Sequence, residues 1–154
     1  MSLDSTDRKL LSLLQDDASL PLQDLAADVG LSVNPCWRRI KRMEAQGVIR
    51  ARVAVLDPDK IGLHLTVFVR IKVREHSADW VKRFAAAVRS IGEIAECHRI
   101  GGDVDYLLKV LVADMAGYDG VYRQLISKIP GLADVSALFS MERIKYTTKM
   151  EPPR

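Results

Sequence analysis

The apolar residues of this chain keep two periods, and the change between them limits what it can fold into. As far as Gly47 they recur at helical spacing; from Leu63 they alternate at every second position. A helical front part and a strand-rich rear part follow. The length of 154 residues fits one ordinary domain or two small ones.

The front part reads as three helices. Asp4 or Ser5 starts the first, with Asp7 in the first turn where the helix dipole favours an acid. Leu10, Leu11, Leu13 and Leu14 supply its buried side, and DDASLP ends it. The second runs from Pro21, a natural first-turn residue, to Gly30, with Leu22, Leu25, Ala26 and Val29 as its stripe. The third is SVNPCWRRIKRMEAQG, from a Ser32 N-cap with Pro35 in the first turn to a stop at Gly47. Val33, Cys36, Ile40 and Met43 form its apolar side. Asn34, Arg38, Lys41 and Arg42 fall opposite, with Trp37 and Arg39 on the flanks. The tight turn through Gly30 and Leu31 makes helices two and three a helix-turn-helix. VIRARVAVLDP then alternates and predicts a small strand or wing, with a boundary at Asp57-Pro58 and Gly62.

The rear part reads β-α-β-β-α-β. Leu65, Val67, Val69, Ile71 and Val73 mark one face of a first strand. Ser77 caps a helix buried through Trp80, Val81, Phe84, Ala85, Val88 and Ile91. A strand from Ile94 to Ile100, the turn Gly101-Gly102-Asp103, and a strand marked by Tyr106, Leu108, Val110 and Val112 follow. Asp114 caps a second helix buried through Tyr118, Val121, Tyr122, Leu125, Ile126 and Ile129. Val135, Ala137, Phe139 and Met141 mark a fourth strand. The fold class expected is therefore α+β: a three-helix, winged helix-turn-helix over residues 1–50, a linker strand or hinge over 51–62, and a ferredoxin-like domain over 63–154. Two helices cannot cover both faces of four strands. Phe68, Leu107, Leu111 and Leu138 lie on the uncovered face, where another subunit is expected.

Charge locates a function. The net charge is only +3, but residues 34–52 hold Arg38, Arg39, Lys41, Arg42, Arg50 and Arg52 against Glu44 alone. The first thirty residues hold six aspartates against Arg8 and Lys9. Positive charge is thus a patch suited to phosphate. Arginine can pair two donors with guanine, and asparagine a donor and an acceptor with adenine, so Asn34 and Arg38 are the candidates for base edges. Arg39, Lys41, Arg42 and Arg50 suit phosphates, with Arg52 adding to the footprint. For Arg39 the competing reading is an internal ion pair. Ser32 can cap the helix, touch phosphate, or do both. Trp37 reads either as an interface residue or as a flank sealing the helix against the core. Paired through the rear domain, two such heads suit a pseudo-palindromic site on double-stranded DNA.

Gly101-Gly102-Asp103 reads two ways. It is a plain turn, or its backbone N–H groups cradle a carboxylate while Asp103 or Asp105 holds an ammonium, which suits a free amino acid. No phosphate loop, metal motif or nucleophile elbow occurs, so no enzyme, cofactor or metal is expected. Cys97 and His98, as strand neighbours, point to opposite faces and do not share an ion with His64 or Asp103. Cys36 reads as a small buried hydrophobe. Two cysteines in different domains suit a reducing cytoplasm, and no apolar run is long enough for a membrane span. The competing functions are a nucleoid-like architectural protein without an effector, and a ferredoxin-like metabolic enzyme.

LDSTDRKLLSLLQDDASL, DLAADVGLS, WRRIKRMEAQGVI, DPDKIG, IGGDVDYLLKV and SMERIKYTT, in this order and spacing, give the chain a further handle. Over nearly its whole length it resembles the Lrp/AsnC, or feast/famine, regulators of prokaryotes. That resemblance implies an N-terminal helix-turn-helix, a C-terminal amino-acid-sensing domain, and homodimers that often assemble to octamers. It places effectors at the glycine loop between subunits, which maps to Ile100, Gly101, Gly102, Asp103 and Asp105. Ser136 and Leu138 on the fourth strand are further candidates.

Overall fold

A computed structural model describes residues 2–74 and 76–152. The chain divides into two compact units. One takes the residues up to Val55 and, after a return of the chain, those from Ile144; the other is Leu56–Arg143.

The first unit contains α1 (Ser5–Asp16), α2 (Leu22–Asp28) and α3 (Val33–Ala45). Asp4 caps α1: its carboxylate accepts from the Asp7 N–H at 2.8 Å, and the Asp7 carboxylate accepts from the Asp4 N–H at 3.3 Å. This reciprocal box satisfies two N–H groups that a helix start otherwise leaves unpaired. Pro21 stands at the N-cap of α2 rather than inside its first turn. Gly47, at φ 72°, lets the chain leave α3 through the left-handed region, and the Val48 N–H returns to the Met43 carbonyl at 2.9 Å. Leu10, Leu11, Leu25, Ala26, Cys36, Ile40 and Met43 make the core, with Leu13 and Leu14 only partly buried. Val33, expected in the stripe, is exposed; the packed face of α3 begins one turn later, at Cys36.

The alternating segment after α3 forms neither strand nor wing: no strand is assigned over residues 51–57. Alternation supplies the side-chain pattern of a strand, but a ladder also needs a neighbouring edge to bond. A single 3-10 turn, Asp59–Ile61, follows.

The second unit contains β1 (Leu65–Val73), α4 (Ala78–Arg89), β2 (Ile94–Arg99), β3 (Tyr106–Val112), α5 (Met115–Lys128) and β4 (Leu132–Phe139). The strands pair antiparallel in the order β2-β3-β1-β4, the split βαβ arrangement. Ser77 and Asp114 cap their helices as expected, accepting from the N–H groups of Trp80 and Gly117. Both helices lie on one face, over Val67, Val69, Ile71, Leu108 and Val110, all fully buried. Trp80 stacks on Phe84 with ring centroids 5.0 Å apart and donates its indole N–H to the Pro130 carbonyl at 2.7 Å. It thereby ties the start of α4 to the end of α5.

Four residues expected on buried faces lie outside the core, among them Phe139 at the end of β4, 44% exposed. Tyr122 and Ile126 are exposed because each sits one residue, about 100°, beyond a buried position of α5. Met141 is fully exposed beyond the end of β4, where no ladder continues. On the face away from the helices, Phe68 stands opposite Lys109 and Leu138, and Arg70 opposite Leu107 and Ser136. Leu138 is 52% exposed.

Removing the indole bond tests the tie between α4 and α5. Trp80→Phe keeps the ring and orphans the Pro130 carbonyl, for an expected loss of about 1–2 kcal/mol. Trp80→Ala also opens a cavity and loses about 3–5 kcal/mol. Urea unfolding of both variants measures these losses, and a neutral Trp80→Phe contradicts the tie.

Candidate nucleic-acid interface and effector loop

The face of α3 is set by one buried acid. Asp7 is 1% exposed, the one charged side chain buried in the described core. It accepts from Arg39 at 2.9 Å and from Arg42 at 2.6 Å. Arg39 also reaches Asp4 at 2.6 Å. The N-terminal turn of α1 therefore grips two arginines of α3. The Asp4 carboxyl is held below its usual value of 3.8, first by the Asp7 N–H and then by Arg39. The same two carboxylates push the Arg39 pKa up.

The candidate DNA contacts accordingly separate. Arg39 is the internal ion pair that competed with its phosphate reading, and Arg42 joins it, although Arg42 remains 45% exposed. Lys41 pairs with Glu44 at 2.6 Å on the surface, and Arg52 reaches the same Glu44 at 3.3 Å. The Glu44 carboxyl is lowered, mainly by Lys41. Exposed pairs of this kind are weak and open readily toward a phosphate. Among the described residues Arg38 and Arg50 have no ion-pair or hydrogen-bond partner, and both are exposed. Asn34 and Pro35 are exposed beside Arg38 on the first two turns. Ser32 holds the N-cap backbone geometry, but its side chain makes no capping bond, so that part of its expected role is absent. Trp37 is 50% exposed and does not seal the core, because it sits one residue, about 100°, beyond the buried Cys36. Burial pushes the Cys36 thiol up and away from reactive thiolate, as suits a packing residue.

Asp7 and Glu44 were the residues whose part in this face the sequence reading missed. For Asp7 a signal existed: with Leu10, Leu11 and Leu14 it occupies the i, i+3, i+4, i+7 stripe of α1. A charge on a buried stripe calls for a partner.

The loop between β2 and β3 holds the other candidates. Gly101, Gly102 and Asp103 are exposed, and Gly102 has φ 132°, which side chains other than glycine rarely adopt. The Ile100 N–H donates to the Asp105 carbonyl at 3.0 Å, and the Asp105 N–H donates to the Ile71 carbonyl at 2.9 Å. The Asp105 carboxylate is already engaged: it accepts from the Val73 N–H at 2.8 Å and lies 3.3 Å from His76 Nε2. Asp105 thus moors the loop to the end of β1, while Asp103 projects free of any such bond. Ile100 to Asp105 are brought together by these bonds. Ser136 and Leu138 lie instead on the open face of β4, opposite Arg70 and Phe68.

Two family profiles divide the chain between them. "Winged helix-turn-helix DNA-binding" matches residues 3–50, and "Lrp/AsnC ligand binding domain" matches residues 66–150. The DNA-binding transcriptional activator DecR of Escherichia coli is 51% identical over 96% of this chain and 97% of its own. The glutamate uptake regulatory protein of Zymomonas mobilis is 50% identical over 98% and 92%. Among solved structures, an AsnC family transcriptional regulator from Agrobacterium tumefaciens superposes with a TM-score of 0.92 at 53% identity, covering 96% of this chain and 95% of that one. A Neisseria meningitidis transcriptional regulator solved with L-Met gives 0.90 at 34% identity, covering 99% and 97%.

The grip of Asp7 makes a separable prediction. Asp7→Asn keeps an acceptor for the cap but removes the charge, so the first unit should lose roughly 2–3 kcal/mol. Arg42 then swings free and Arg39 keeps only Asp4, so binding to random DNA at low salt should hold or rise while preference for the cognate site falls. Competition binding at two salt concentrations reads both; an unchanged preference contradicts the role. Acid gives a second handle. Asp4 has a depressed pKa, so its contribution is complete above about 3.8 and disappears as pH falls through the folded-state value. Hydrogen exchange of α1 and α3 should accelerate below pH 4, and less steeply in Asp4→Asn. With its helix-turn-helix and its ligand-binding half matched along nearly the whole length, the chain belongs to the Lrp/AsnC family of DNA-binding transcriptional regulators.

Proposed function

We propose that α3 reads a pseudo-palindromic site in the major groove, with Asn34 and Arg38 at base edges. Lys41, Arg42, Arg50 and Arg52 then serve phosphates, and Ser32, Pro35 and Trp37 flank the contact. One observation carries this: Arg38, beside the exposed Asn34, is the cation of α3 that no carboxylate holds, whereas Arg39 and Arg42 are braced against Asp7. A donor pair that is exposed, unneutralised and mounted on a braced helix suits base readout. Arg39 acts chiefly by holding α3 in place.

Two heads on one duplex need a dimer. The face bearing Phe68, Leu107, Leu111 and Leu138 is left open by both helices and suits a second copy, with octamers as the larger assembly. Action on chromosomal DNA places the protein in the cytoplasm, as a regulator rather than an enzyme. The loop at Gly101, Gly102 and Asp103 suits a free amino acid, with Ile100 beside it, Ser136 and Leu138 from the sheet face, and Asp105 as its mooring. A relative of the same fold was solved with L-Met. Such a ligand acts by favouring one arrangement of subunits over another.

A gel shift on the promoter of the neighbouring, divergently read gene, against random competitor and with each amino acid in turn, tests the reading. Shifts that respond to no amino acid, with no heat in calorimetry, favour an architectural protein. Arg38→Ala should cost about 1–3 kcal/mol, concentrated at one base position, whereas Lys41→Ala should weaken all sequences alike and lower the salt slope by roughly one unit. Equal loss for Arg38→Ala on specific and random DNA refutes its reader role.

A further inference from the structure

The end of the chain returns to the DNA-binding unit and is fastened there by side chains with no part in DNA reading. The Gln15 amide bonds both backbone groups of Met150: its Nε2 donates to the Met150 carbonyl at 3.0 Å, and its Oε1 accepts from the Met150 N–H at 2.7 Å. Next to it, Lys149 Nζ lies 2.7 and 2.6 Å from the two carboxylate oxygens of Asp16. Asp16 sits in the last turn of α1, where the negative end of the helix dipole disfavours an acid, and that turn holds no basic residue. Lys149 supplies the missing cation. Beside this contact lies a largely apolar groove of about 730 Å³, lined among others by Leu11, Leu14, Ile49, Val53, Met150 and Pro152.

We propose that residues 148–152 are a reversible latch, a second tether on the DNA-reading unit. The unit is joined to the rest of the chain at Val55 and again at Ile144. A single connection leaves a small head free to swing. With the latch closed, the ten residue-to-residue steps from Phe139 to Lys149 reach at most about 33–36 Å, so the head is leashed at both ends. At Lys149 and Met150 the fastening is an exposed ion pair and two hydrogen bonds to α1, contacts of a kind that open and close readily. Closing the latch also walls the groove that flanks Arg50 and Arg52 and orders the segment that carries them. The occupant is the chain's own tail, and the proposal does not depend on any amino-acid effector.

A zero-length carbodiimide cross-link on the full-length protein tests it, because Lys149 and Asp16 are close enough to form an amide. The expected product is an Asp16–Lys149 peptide found in monomer-sized protein on a denaturing gel and absent from Lys149→Arg. The same peptide found only in dimer-sized protein, or not at all, overturns the proposal. Hydrogen exchange provides the second arm. The Met150 amide and residues 48–55 should be slowed in the parent, lose about tenfold protection in Lys149→Glu, and regain it in Asp16→Lys/Lys149→Glu. Protection unchanged by Lys149→Glu, or lost and not regained in the swapped pair, also overturns it.

Discussion

A carboxylate with almost no access to water orients α3 of the helix-turn-helix. Asp7 faces the core from the first turn of α1, and its two oxygens are taken by Arg39 and Arg42 of α3. A pair this enclosed is poor evidence of net stability, since an apolar replacement of the same shape serves nearly as well. Its contribution is directional. Hydrophobic contacts among Leu10, Cys36, Ile40 and Met43 hold α3 against α1 but tolerate rotation and sliding. Two charge-assisted bonds to one buried acid, with Asp4 fixing the same guanidinium from outside, select one rotation. That rotation turns Arg38 and Asn34 outward.

The second unit applies the same economy to a loop. Gly102 has a backbone shape, φ 132°, that other residues rarely adopt, and glycine leaves a loop conformationally free. Asp105 stiffens it by bonding to β1 through backbone and side chain at once. A change at the loop is therefore felt first at Ile71 and Val73, the end of the central strand that borders both β3 and β4. On its open side that strand presents Phe68 and Arg70, the face suited to a second copy. The loop and the open sheet face thus share one strand.

Periodicity made most of this fold legible. The strands β1 and β3, the caps at Ser77 and Asp114, and the stop at Gly47 follow from local rules that tertiary packing did not overrule. Where sequence reading failed, the missing information was non-local. Residues 51–57 alternate like a strand, yet a strand exists only beside another. Arg39 and Arg42 are legible as cations, but the Asp7 carboxylate that pairs with both stands more than thirty residues away in sequence. Trp37 reads as a seal by its size, but α3 turns Cys36, Ile40 and Met43 to the core and leaves Trp37 half exposed. Asp105 looked as available to an ammonium as Asp103; the Val73 N–H that occupies it belongs to another strand. A list of charged residues gives the chemistry that is present, and only the fold decides which of it is still unspent.

That distinction bears on how the protein gains affinity. Of the six cations between residues 34 and 52, Arg39, Arg42, Lys41 and Arg52 each hold an internal carboxylate. A cation that must leave a carboxylate to meet a phosphate gains only the difference between two similar contacts, whereas a free one gains the whole of it. The patch is therefore weaker toward DNA than its charge count suggests, with Arg38 and Arg50 as its uncommitted members. A single head of this kind binds loosely and with little penalty for the wrong duplex. Were two such heads joined at a fixed spacing, the second contact would be made at high effective concentration, and affinity would rise without any further free charge on either head.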